Sequence, residues 1–174
     1  MADPNRIAIV GWGFGGYAAL LAATRDGRPF RCPASIAGIS DLQLLEREAW
    51  YTKASGIVEE QVGSDAEKLK ADSPRQHADR VSIPVLLIHG SADAQVDVDN
   101  SREMDAVLRK AGKQVDYLEL KDADHQLADT EARTVTRAAV SCSDTATRTL
   151  TTGGNGFILL KNSVCRSSQK FKRL

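Results

Sequence analysis

The chain has 174 residues, 42% hydrophobic and 26% charged, with 23 acidic side chains against 23 lysines and arginines. That length suits one core rather than two, and zero net charge leaves no bulk field to attract nucleic acid. No apolar run reaches membrane-spanning length, and the N-terminus lacks a basic-then-apolar signal segment. Nucleic-acid and membrane partners are therefore not expected. Cys32, Cys142 and Cys165 are odd in number and lack metal-ligand spacing, so they read as thiols of a reducing compartment, and the cytoplasm is the expected location.

In chain order, Asp3-Pro4-Asn5 is a turn, and Ile7–Val10 reads as a short buried strand. A glycine-rich turn follows, Gly11-Trp12-Gly13-Phe14-Gly15-Gly16, and then an apolar helix over Tyr17–Thr24. Gly27-Arg28-Pro29 ends that helix. Ala34–Ile39 is the second predicted strand, delivering Ser40 and Asp41, and Asp41 is placed to cap a helix over 42–50. Residues 51–80 read as a polar surface excursion with one or two short helices, packed down by Trp50 and Tyr51. Ser82–Ile88 is the clearest strand, continuously apolar from Val85 as a strand covered on both faces should be. His89-Gly90-Ser91-Ala92-Asp93 leaves its end.

A helix opening at Asn100 or Ser101 and ending at Lys110 carries Met104, Val107, Leu108 and Ala111 at helical spacing, with Gly112 as its stop. Val115–Leu120 alternates like a strand at a sheet margin, and Asp122–His125 forms the loop after it. Residues 129–140 predict a final helix. The order β-α-β-α-β-α-β-α implies an α/β domain over residues 1–140, a mostly parallel sheet of about four strands with helices on both faces. Functional residues in such sheets gather at the C-terminal strand ends, where Gly13, Asp41, Asp93 and His125 all fall.

Residues 141–174 break the pattern. They are Ser/Thr-rich, then basic, with one acid (Asp144) against six bases. The expected state is a disordered or poorly packed tail, with a helix or edge strand around Phe157–Leu160 as the alternative.

Two motifs compete for the glycine turn. Gly11, Gly13 and Gly16 satisfy G-x-G-x-x-G, the dinucleotide fingerprint, with Asp41 as the acidic residue, although it lies 25 positions past Gly16. The same turn fits G-x-S-x-G, the nucleophile elbow of α/β-hydrolases, with Gly13 where serine belongs. Hydrolysis through an activated hydroxyl needs a nucleophile, an imidazole base and a carboxylate orienter, which α/β-hydrolases supply in the chain order nucleophile, acid, histidine. Position 13, Asp93 and His125 keep it. His77, His89 and His125 are too scattered for a metal site, and no cofactor is implied. His77 reads as a surface partner of Asp79, and His89 as a buried residue at a strand exit.

Three segments carry a closer likeness: DPNRIAIVGWGFGGYAAL, SPRQHADRVSIPVLLIHGSADAQV and NSREMDAVLRKAGKQVDYLELKDADH. Across residues 3–130 the chain resembles the C-terminal half of the catalytic domain of the prolyl oligopeptidase family of α/β-hydrolase serine peptidases. The resemblance implies Asp93 as triad acid, His125 as triad base and the Phe14 backbone N–H as oxyanion donor, acting on a peptide or a small ester or amide. It also marks departures. Glycine at position 13 has no atom to attack a carbonyl, so impaired or absent catalysis is expected, in a pseudo-hydrolase or interaction module. The family's upstream strands, its second oxyanion donor (a tyrosine) and its β-propeller are expected to be missing, leaving an exposed sheet edge prone to self-association. The change in composition near Ser141 resembles a shifted reading frame.

Overall fold

A computed structural model describes residues 7–25, 30–50, 55–129, 133, 136, 152–153 and 157–161, the last two stretches by their backbone. Four strands, β1 (Ile7–Trp12), β2 (Phe30–Ile36), β3 (Val85–Gly90) and β4 (Val115–Leu120), pair in parallel with their immediate neighbours. Two further strands, β5 (Thr152–Gly153) and β6 (Phe157–Lys161), extend the sheet, giving the order β4-β3-β2-β1-β6-β5. The helices are α1 (Phe14–Arg25), α2 (Leu42–Trp50), α3 (Ser55–Val62), α4 (Ala66–Ala71) and α5 (Asp99–Lys110), with a 3₁₀ segment at Pro74–Arg80. The fold is the expected mostly parallel α/β sheet flanked by helices.

The two faces of β3 and β4 meet different cores. Ala8, Val10, Ala34, Ile36, Leu86 and Ile88 pack on one side with Leu120, Ala123 and Leu127. Val85, Leu87 and Val115 pack on the other with Leu20, Ala23, Met104 and Leu108. Every residue of β3 is buried, which is why its sequence is apolar without alternation.

Three details differ from the sequence reading. First, α1, α5 and the 3₁₀ segment share one face of the sheet; of the helix predicted over 129–140, which would supply the other, most lies outside the described residues. The strands advance in a single direction from β1 to β4, and crossovers of one hand along a one-way sheet place every connecting helix on the same side. Second, β2 begins and ends earlier than predicted. Pro33, a residue that argues against a central strand, pairs with Ile9 inside it; an irregularity near Ile7 and Ala8 accommodates the shift in register. The chain then leaves the sheet at Ala37, whose φ is +47°. Third, the flank of β1 expected to be open is paired antiparallel with β6, from Ile7 opposite Lys161 to Gly11 opposite Phe157. Pairing satisfies the backbone donors and acceptors that made the bare edge a hazard.

The excursion over 55–80 holds two short helices and the 3₁₀ segment. Asp65 caps α4, its carboxylate accepting from the amides of Glu67 (3.0 Å) and Lys68 (3.1 Å). Leu69 anchors it beside Ile39, Leu42 and Val96. Trp50 does not pack this region down; at the last turn of α2 it is 76% exposed. Tyr51 lies outside the described residues. So does most of the predicted final helix, of which residues 133 and 136 are described and helical. Of the predicted tail, 152–153 and 157–161 are described, as strands.

Gly56 sits in α3 with open space where a Cβ would go. Gly56→Ala is therefore expected to stabilise the protein by about 0.5 kcal/mol, through the reduced backbone entropy of the unfolded chain. Urea unfolding measures this as a higher midpoint with unchanged slope.

Candidate active site

The glycine turn is an elbow. β1 runs to Trp12, the chain reverses at Gly13 with φ +56°, and α1 starts at Phe14. That φ lies in the left-handed region that L side chains avoid and glycine occupies without penalty. The Gly13 amide donates to the Ile36 carbonyl (2.9 Å), and its carbonyl accepts from the amides of Gly16 (2.9 Å) and Tyr17 (3.2 Å). The neighbouring glycines have a different task. A Cβ on Gly11 would fall 1.9 Å from the Gly15 carbonyl oxygen, and one on Gly16 would fall 2.7 Å from the Gly38 Cα. These glycines let β1, α1 and the loop after β2 touch; they do not line a cradle for a pyrophosphate. The Phe14 amide belongs to the first turn of α1, where N–H groups have no partner within the helix.

Asp93 and His125 arrive from two loops pressed together at the ends of β3 and β4. The Ser91 amide donates to the Leu120 carbonyl (2.8 Å) and the Ala92 amide to the Ala123 carbonyl (3.0 Å). Gly90 permits this approach, since a Cβ there would lie 2.2 Å from the Ala123 oxygen. Leu127, fully buried, closes the loop from beneath. His125 Nδ1 donates to Asp93 Oδ2 at 2.8 Å. The imidazole is 12% exposed and the carboxylate not at all. On the far side of the ring, a Cβ built on Gly13 would lie 3.4 Å from His125 Nε2. Trp12 donates its indole N–H to the His125 carbonyl (3.0 Å) and ties the loop to the elbow.

Asp93 is held on both oxygens. Oδ1 accepts from the amides of Gln95 (2.8 Å) and Val96 (2.9 Å); Oδ2 receives His125 and faces His89 Nε2 at 3.2 Å. Burial pushes the carboxyl's pKa up, but hydrogen bonds from His125, His89 and the two amides outweigh it and hold the group well below the usual carboxylate range. Asp93 is thus a fixed negative charge at neutral pH, oriented toward an imidazole whose second nitrogen looks at position 13.

Asp41 is elsewhere. It is buried, caps α2 through the amides of Gln43 (2.9 Å) and Leu44 (3.4 Å), and pairs with Arg75, which also reaches Glu103. A carboxylate so engaged is not free for a ribose hydroxyl, and the dinucleotide reading loses its acid as well as its cradle. His77 Nε2 donates to the Ala71 carbonyl (2.6 Å). His89 is buried as expected, and its contact with Asp93 was not anticipated. The signal was present in the sequence as the four-residue interval from His89 to Asp93 directly after a strand.

Comparison with known proteins shows the family and the fold. The profile of the prolyl oligopeptidase family (Peptidase_S9) matches residues 1–141. This chain belongs to the prolyl oligopeptidase family. It is 31% identical over 134 residues to dipeptidyl peptidase family member 6 of Caenorhabditis elegans, covering 72% of this chain and 18% of that protein. It is 30% identical over 131 residues to inactive dipeptidyl peptidase 10 of Mus musculus, covering 73% of this chain and 15% of that one. The structure of a puromycin-hydrolyzing peptidase of Mycobacterium tuberculosis superposes with a TM-score of 0.70 at 32% identity, over 80% of this chain and 21% of that one. The prolyl oligopeptidase family match therefore spans about a fifth of the length of such relatives.

Proposed function

We propose that this chain is a serine-peptidase-type hydrolase domain that keeps the acid and base of a catalytic triad and lacks the nucleophile. Asp93 is the acid, His125 the base, the Phe14 N–H the oxyanion donor, and Gly13 stands where the attacking side chain belongs. The observation that carries this reading is the 3.4 Å between His125 Nε2 and a Cβ placed on Gly13. A hydroxyl one bond further out would lie within reach of the imidazole that must accept its proton. Family membership suggests a peptide, or a small ester or amide, as the substrate class. Glycine supplies no oxygen, so no acyl-enzyme forms and the family's two-step hydrolysis is closed. A relative whose own name calls it inactive is 30% identical, so membership does not by itself bring activity.

Purified protein is expected to turn over p-nitrophenyl acetate and aminoacyl nitroanilides no faster than its His125→Ala variant. A robust rate in the parent that vanishes in His125→Ala would overturn the reading.

A further inference from the structure

His89 is fully buried, and the triad chemistry described above makes no use of it. Its ring is nevertheless engaged at both nitrogens. Nδ1 lies 2.7 Å from Ser101 Oγ. Nε2 lies 3.0 Å from the Val96 carbonyl and 3.2 Å from Asp93 Oδ2. A carbonyl and a carboxylate only accept, so Nε2 must carry the hydrogen; a bare Nε2 would set three lone pairs against one another. Nδ1 of the neutral ring is then the acceptor, and the Ser101 hydroxyl is its donor. Ser101 is itself buried, in the first turns of α5.

We propose that His89 is a positioning residue for the Asp93–His125 pair: its Nε2–H, complemented by the Ser101 hydroxyl at Nδ1, anchors the same carboxylate oxygen that receives His125. This rests on the reading of Asp93 and His125 as acid and base. The anchoring completes a four-residue chain, Ser101 to His89 to Asp93 to His125, that runs from α5 to the elbow. Backbone amides fix Oδ1 of Asp93, and without His89 the other oxygen would depend on His125 alone. A carboxylate clamped at both ends cannot rotate, and it presents Oδ2 to the imidazole at one angle. Orienting partners of this kind act on the group that does chemistry without touching substrate.

The test uses the full chain labelled with ¹⁵N-histidine, which carries only His77, His89 and His125. At alkaline pH the neutral His89 ring is expected to be protonated at Nε2 and bare at Nδ1, and His125 to show a far-downfield Nδ1–H resonance. His89→Leu should shift or abolish that His125 resonance. His89→Gln, whose amide N–H reaches toward the same oxygen, should preserve it. Ser101→Ala should keep His89 protonated at Nε2, because the Val96 carbonyl and Asp93 Oδ2 still require a donor there, and should shift the bare Nδ1 resonance as its hydroxyl donor is lost. Protonation of His89 at Nδ1 in the parent overturns the proposal, as does a His125 resonance unchanged by His89→Leu. If His89→Leu does not fold, the tautomer of the parent decides, protonation at Nε2 supporting the proposal and protonation at Nδ1 overturning it.

In a Gly13→Ser background, fluorophosphonate labelling should slow about tenfold with His89→Leu and be largely restored by His89→Gln. Absence of labelling in every background would count against the proposed nucleophile position, while the ring resonances would still judge His89.

Discussion

Gly13→Ser is expected to make the protein react with a fluorophosphonate probe that does not label the parent, with an increase in rate of about 10³-fold or more. The estimate is set below the roughly 10⁶ that the nucleophile of subtilisin contributes to its turnover. The acceptor for the hydroxyl proton is already in place. His125 Nε2 lies 3.4 Å from where the new Cβ would be, an ordinary contact that needs no movement, and Asp93 holds the opposite ring nitrogen at 2.8 Å. The substitution has a backbone cost, because serine must adopt a φ of +56°, and this should lower stability by about 1–2 kcal/mol. Gly13→Ala carries the same cost without the oxygen, and it should fold like Gly13→Ser and remain unlabelled. Adding His125→Ala to Gly13→Ser should remove the labelling. A folded Gly13→Ser protein that stays unlabelled would mean that the imidazole is not aimed at the elbow.

Asp93→Ala should destabilise the fold by about 3–5 kcal/mol, the usual consequence of removing one member of a buried, hydrogen-bonded charged network. It strips partners from His89, His125 and the amides of Gln95 and Val96 together. The effect depends on pH in a definite direction. The folded pKa of Asp93 lies below its unfolded value, so the unfolded chain binds more protons and stability rises with pH through that range. The contribution is complete above the ordinary carboxylate value of about 4. It drains away as the pH falls below that value toward the depressed folded one. Urea denaturation of parent and variant between pH 7 and pH 3 should therefore give two curves that converge in acid. A difference in stability that stays constant to pH 3 would contradict the depressed pKa.

Much of the fold was legible because it depends on local periodicity. The continuous apolar run Val85–Ile88 demanded cover on both faces, and β3 has it. Asp41 was placed as a cap, and its carboxylate accepts from the Gln43 and Leu44 amides. Gly112 was read as the stop after α5; it has φ +69°, and the Lys113 amide closes on the Leu108 carbonyl at 2.9 Å. Trp50 misled, since an aromatic in a polar stretch suggests packing, yet nothing in its neighbours says which way the last turn of α2 will face. The start of β2 was not legible, since proline is no signal of a central strand, yet Pro33 pairs with Ile9 in the parallel ladder with β1.

Residue types and their order alone determined an α/β chain of four apolar strands, an elbow at residues 11–16 with no oxygen at position 13, and an aspartate and a histidine on separate strand ends. Those properties follow from side-chain chemistry and from the period of burial along one strand or helix. Only the tertiary structure decided that Asp93 and His125 meet across 32 residues, that Trp12 ties the second of them to the elbow, and that β6 closes the flank of β1. It alone decided that His89 and Ser101 stand behind Asp93 and that the crossover helices share one face. The reason is that periodicity records how deeply a residue is buried but not beside which element: the Asp93–His125, Trp12–His125 and β1–β6 contacts depend on the order of strands in the sheet, and the His89–Ser101 contact on how α5 folds back on β3.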